Sequence, residues 1–90
     1  EKTPKVLIVR MRRVPIIDAT GIRMLADLNR ETRNSGTKLI LSEVGSEQVM
    51  QELKKARLLF AIGKGNVLPG FDQALKRSRI VLTDKYRGYK

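Results

Sequence analysis

Two short apolar runs, Val6-Leu7-Ile8-Val9 and Leu39-Ile40-Leu41, flank a stretch in which apolar residues recur with helical spacing. Neither run alternates apolar with polar residues, as a strand with one wet face does. Each therefore reads as a strand buried on both faces, and such strands belong to sheets covered by helices. Between them, from Gly21 to Ser35, Ile22, Met24, Leu25, Ala26 and Leu28 fall in one arc of a helical wheel, with Arg23, Asp27, Arg30 and Asn34 opposite. Asn34-Ser35-Gly36 is a good stop, because glycine enters the left-handed region at little steric cost.

The alternation continues. Ser46 caps a second helix, with Glu47 in its first turn. Val49, Met50, Leu53 and Ala56 share its inner face, while Glu47, Gln51, Glu52, Lys54 and Lys55 point away. Phe60-Ala61-Ile62 reads as a third strand, Gly63-Lys64-Gly65-Asn66 as a turn, and Pro69 as the start of a third helix carrying Phe71, Ala74 and Leu75 inward. From Ile80 to Lys90 the chain is polar and basic and reads as a loose tail, which bounds the domain at residues 1–79. The predicted class is α/β: a mostly parallel sheet with helices and right-handed crossovers. Three strands make a thin sheet, so N-terminal strands upstream of Glu1 are expected to complete it. An unpaired strand edge also predicts association, which makes a homo-oligomer an expectation for this piece.

Composition narrows the function. The 90 residues contain neither cysteine nor histidine, which removes thiolate chemistry, the usual neutral-pH base and the commonest metal ligand. The carboxylates Asp18, Glu43, Asp72 and Asp84 are scattered without a partner, so no catalytic residues, no metal and no enzyme are predicted. Nineteen Lys+Arg against nine Asp+Glu give a net charge of +10, which favours an acidic partner such as an anionic membrane surface. Arg10, Arg12 and Arg13 are read as the exit of the first strand into solvent. Nucleic acid is disfavoured, since aromatics are only 4% of the chain and supply no stacking platform. No apolar run is long enough to span a bilayer.

The most informative junction is Asp18-Ala19-Thr20-Gly21, where an apolar stretch hands over to a helix. Asp18 or Thr20 can cap that helix, and open α/β sheets bind their partners at the carboxyl ends of strands. Here "IDATG", "GTKLILSEV" and "IGKGNVLPGFDQAL", in that order, resemble a STAS domain, the family of anti-sigma factor antagonists and of the C-terminal domains of SulP-type anion transporters. The resemblance covers residue 5 to about residue 79 and implies a STAS-like fold. It implies no enzyme, a partner-binding loop at Asp18, Ala19, Thr20 and Gly21, and contacts from Arg23 and Asp27 on the following helix. Ala19 stands where the antagonists carry a phosphorylated serine. Alanine accepts no phosphate, so the resemblance points to the transporter branch. The alternative is a free-standing antagonist-like protein that binds an anti-sigma factor without that switch. Thr20 is the remaining candidate for phosphorylation, which would add about −1.5 to −2 charge at a helix start. The implied partners are the membrane domain of a parent sulfate or anion transporter and other proteins, on the cytoplasmic side of the inner membrane. Arg57 stands where the family often has glycine. Gly63-Lys64-Gly65-Asn66 lacks phosphate-loop spacing, and no cofactor is assigned, although some relatives are thought to bind nucleotides.

Overall fold

In the computed structural model, residues 5–87 are described, with side chains through Thr83. Strand β1 (Lys5–Arg10) lies parallel to β2 (Thr37–Ser42), from Lys5 opposite Thr37 to Arg10 opposite Ser42. Helix α1 (Ala19–Asn34) makes the crossover between them. Helix α2 (Glu47–Lys55), the short α3 (Leu58–Ile62), a 3-10 turn at Lys64–Asn66 and α4 (Phe71–Arg87) follow. The chain is an α/β structure, as its periodicity predicts.

The core explains the layering. Leu39 and Leu41 of β2 join one apolar cluster with Leu25 of α1, Val49 and Leu53 of α2, and Leu58, Leu59 and Ile62 of α3. Side chains alternate across a strand, so Ile40 and Ser42 point to the other face, where α4 packs along both strands. All four of these β2 residues are fully buried. Removing a large apolar side chain of this kind from water contributes about 1.5–3 kcal/mol. Within α1, Asn29 and Thr32 are buried as well, and the Thr32 hydroxyl donates to the Asn29 carbonyl.

Several expectations are corrected. β1 is not buried on both faces: among the described residues it pairs only with β2, and Leu7 remains 39% exposed. Phe60-Ala61-Ile62 is helical rather than a strand. The buried positions there are Leu58, Leu59 and Ile62, which is helical spacing, and it turns Phe60 outward. A single parallel bridge, Leu41 to Val67, occupies the place of a third strand a few residues later. The Leu68 amide donates to Leu41 and the Val44 amide to Leu68. Ile80–Arg87 is not loose either, because α4 continues to Arg87 with Val81 buried; residues 88–90 of the expected tail lie outside the described residues. Met24 and Ala56, expected inside, are exposed.

The Gly63–Asn66 turn is built for structure. Gly63 has a φ of 104°, and the buried Asn66 side chain donates to Ile62 O and accepts from Arg77 Nε at 2.8 Å. That clamp ties the turn to α4.

Candidate functional site

Both strands end at the same edge of the sheet, and the segments leaving them form the site. Beyond β1, the Met11 amide extends the ladder by donating to Ser42, and the chain turns so that the Val14 amide bonds Met11 O. Ile17 is buried, while Asp18, Ala19 and Thr20 are exposed. Asp18 is the N-cap of α1: its Oδ1 accepts from the Gly21 amide at 2.9 Å, and its carbonyl accepts from Ile22. Of the two residues able to cap, the structure selects Asp18, and among the described residues the Thr20 hydroxyl makes no hydrogen bond. Gly21 is required by close approach, because a Cβ there would lie 2.7 Å from Ile17 Cγ1. The tetrapeptide is therefore a cap and first helical turn held outward on a buried isoleucine.

Two residues outside the tetrapeptide brace it. The Gln48 side chain accepts from the Ile17 amide at 2.9 Å and donates to the Ile17 carbonyl at 3.0 Å, as a neighbouring strand would. Ser46 accepts from the Val49 amide, capping α2 as predicted, and donates its hydroxyl proton to Pro15 O at 2.6 Å. The cap signal at Ser46 was legible in the sequence. The bridge from Gln48 was not, because it joins residues thirty-one positions apart.

Arg10 also departs from its expected role. Instead of merely marking an exit, it donates two hydrogen bonds to Glu43, at 2.7 and 2.9 Å, with its guanidinium 4.2 Å from the Phe71 ring centroid. The Arg10 bonds, with a further one from the Ser42 hydroxyl, hold the Glu43 carboxyl at a pKa of about 2 against the upward push of partial desolvation. This bidentate, charge-assisted pair is made by a residue whose backbone sits at a φ of 64°. Of the helix-face candidates, Arg23 is exposed and Asp27 is paired to Arg30 one turn on. Asp27 also borders a groove of about 420 Å³ with Val9, Met24, Leu25, Leu28 and Glu31. The structure thus places Arg23 and Asp27 on the helix that begins at the tetrapeptide.

The sequence profile of the STAS domain family matches residues 1–74. The chain belongs to the STAS domain family. Its fold is similar to a solved sulfate transporter family protein from Wolinella succinogenes, with a TM-score of 0.82 and 38% identity over 92% of this chain and 67% of that one. It is also similar to the STAS domain of a SulP transporter from Vibrio cholerae, with a TM-score of 0.76 and 34% identity over 89% of this chain and 62% of that one. The STAS domain described here therefore spans about two thirds of each solved relative. No curated protein sequence matches it. No helix among the described residues is long and apolar enough to cross a membrane.

Proposed function

We propose that this STAS domain is the cytosolic module of a SulP-type anion transporter, held at the cytoplasmic side of the inner membrane. In this reading it regulates or assembles the transporter through protein contacts. The observation that carries the reading is its likeness, at 38% and 34% identity, to proteins of the sulfate and SulP transporter family. Asp18, Ala19, Thr20 and Gly21 supply the contact surface, with Arg23 and Asp27 beside them. The exposure of Asp18, Ala19, Thr20 and Arg23 at the end of a parallel pair supports this assignment, since ligands and partners of open α/β sheets meet the carboxyl ends of strands. The exposed Thr20 hydroxyl in the first turn is also open to phosphorylation.

Capping and contact can be separated by substitution. Asp18→Asn keeps a good cap but removes the charge, whereas Asp18→Ala removes both. In the intact gene product, Asp18→Asn and Thr20→Arg are expected to lower radiolabelled sulfate or anion uptake several-fold at unchanged expression. A photo-crosslinker at Thr20 is expected to capture the membrane domain, while one at Gln73 on α4 captures nothing. Unchanged uptake in both variants, or an intact gene product without membrane spans, would overturn the proposal.

A further inference from the structure

The far end of α2 carries a feature that partner binding at the tetrapeptide leaves unexplained. Phe60 projects from α3 with 89% of its surface exposed, the most exposed of the large hydrophobic residues described. It borders an open cavity of about 510 Å³ whose other walls are Lys54, Arg57, Leu59, Gly63 and Lys64. Among the described residues, no carboxylate lines it. Among the described residues, Lys54, Arg57 and Lys64 form no ion pair, whereas neighbouring Lys55 is engaged with Glu52. Three unneutralised cations thus ring one unpacked aromatic side chain.

Arg57 adds a second observation. It sits at φ 63°, ψ 21°, in the left-handed region, where glycine would be cheaper than any residue with a Cβ. The position keeps a long cation at a conformational cost.

We propose that this patch is a docking site for an anionic bilayer surface: lipid phosphates seat among Lys54, Arg57 and Lys64, and the Phe60 ring enters the headgroup–acyl boundary. Charge complementarity selects the class of partner, and the apolar geometry selects the occupant. A bound amphipathic helix needs a groove with anchors at several helical positions, and here the exposed apolar element is a single ring. A second copy of the chain would bring the same three positive charges against these. Aromatic rings are suited to the membrane–water interface, and basic residues near an anionic leaflet add attraction additively. The patch lies at the opposite end of α2 from Gln48, so lipid and the tetrapeptide's partner do not compete for one surface.

The inference does not depend on the transporter reading, because its test uses vesicles and the purified protein alone. Co-sedimentation is measured with phosphatidylcholine vesicles and with vesicles containing phosphatidylglycerol. Binding is expected only to the latter, and to weaken with salt. Each lost cation lowers partitioning about fivefold, so Lys54→Glu/Lys64→Glu should weaken binding at least about 25-fold. The charge-matched Lys76→Glu/Arg79→Glu on α4 should change it less than about threefold. Phe60→Ala is expected to weaken binding about tenfold without changing the salt slope. Circular dichroism checks that each variant stays folded. Equal loss in the two double variants, an unaffected Phe60→Ala, or no binding to anionic vesicles would overturn the proposal. So would displacement by millimolar inorganic phosphate, or preferential binding to a glutamate-rich peptide or single-stranded DNA.

Discussion

Replacing Arg57 by glycine tests the backbone argument directly. A residue with a Cβ in the left-handed region costs about 1–2 kcal/mol. Glycine escapes that cost but loses about 0.5–1 kcal/mol more backbone entropy on folding. Arg57 is exposed and forms no ion pair among the described residues, so its side chain offers little to set against this balance. Its backbone is engaged on both sides, the amide to Lys54 O and the carbonyl from Ala61 N, and glycine retains both bonds. Arg57→Gly should therefore stabilise the domain by about 0.5–1 kcal/mol, which for a chain of this size raises the melting temperature by about 2–8 °C. Arg57→Ala keeps the strained φ and should gain nothing. Thermal and urea denaturation of the three proteins, followed by circular dichroism, measures the difference. If Arg57→Gly melts at or below Arg57→Ala, the strain assigned to this position is not there. Among the described residues Glu43 is the other non-glycine residue with positive φ, and it provides the contrast: its carboxylate accepts two hydrogen bonds from Arg10 and one from Ser42.

Two further outcomes follow from the site. Gly21→Ala places a methyl group against the buried Ile17 side chain and should lose about 1 kcal/mol in urea denaturation, with Gly21→Val losing more, although alanine is the better helix former; a more stable Gly21→Ala would contradict the close approach. Glu43 titrates at about 2 in the folded protein and near 4.5 when free, so it binds protons more readily unfolded. Its stabilising contribution is complete above about pH 4.5 and is lost as the pH falls toward 2. The stability advantage over Glu43→Gln should therefore shrink through that window and stay level from pH 5 to 7, as read from urea midpoints; a gap that widens in acid would refute the pairing with Arg10.

What the sequence showed and what it hid divide along one physical line. Features set by nearest neighbours were legible. The crossover helix, the cap at Ser46, the Asp18–Gly21 junction and the buried character of Leu39-Ile40-Leu41 all follow from local pattern. Features decided by what packs nearby were not. Val6–Val9 has the same apolar run as β2, yet among the described residues only β2 has a neighbour on each side, at β1 and at Val67, and only β2 is buried along its apolar run. Leu58-Leu59-Phe60-Ala61-Ile62 suits either strand or helix by periodicity alone, the known ambiguity of short apolar runs. The left-handed Arg57 resolves it, because reversing the chain there starts a new helical turn immediately after α2. The charged tail reads as loose until Val81 is seen buried. At the site, the cap was foreseeable, whereas the pairing of Arg10 with Glu43 required the parallel register that brings Arg10 opposite Ser42.

Gln48 decides whether the tetrapeptide is a presented surface or a fluctuating loop. Ile17 is buried, and among the described residues no strand pairs with its amide and carbonyl; the Gln48 carboxamide satisfies both. A net hydrogen bond is worth about 0.5–1.5 kcal/mol, so Gln48→Ala should cost about 1–2 kcal/mol. The loss should be local. Ile17 anchors Gly21, and Gly21 in turn bonds the Asp18 cap, so loosening Ile17 frees the entry to α1 while Leu39–Ser42 keeps its ladder to β1. Native-state hydrogen exchange distinguishes the cases, because sub-global opening lowers protection only in the affected segment. Protection should fall for the Ile17, Gly21 and Ile22 amides and hold at Leu39–Leu41. Gln48→Glu, which keeps an acceptor for the Ile17 amide and loses the donor to its carbonyl, should fall between wild type and alanine. Uniform loss across β2 would mean that Gln48 supports the whole fold, and unchanged protection at Ile17 would mean that the tetrapeptide is held by its own cap alone.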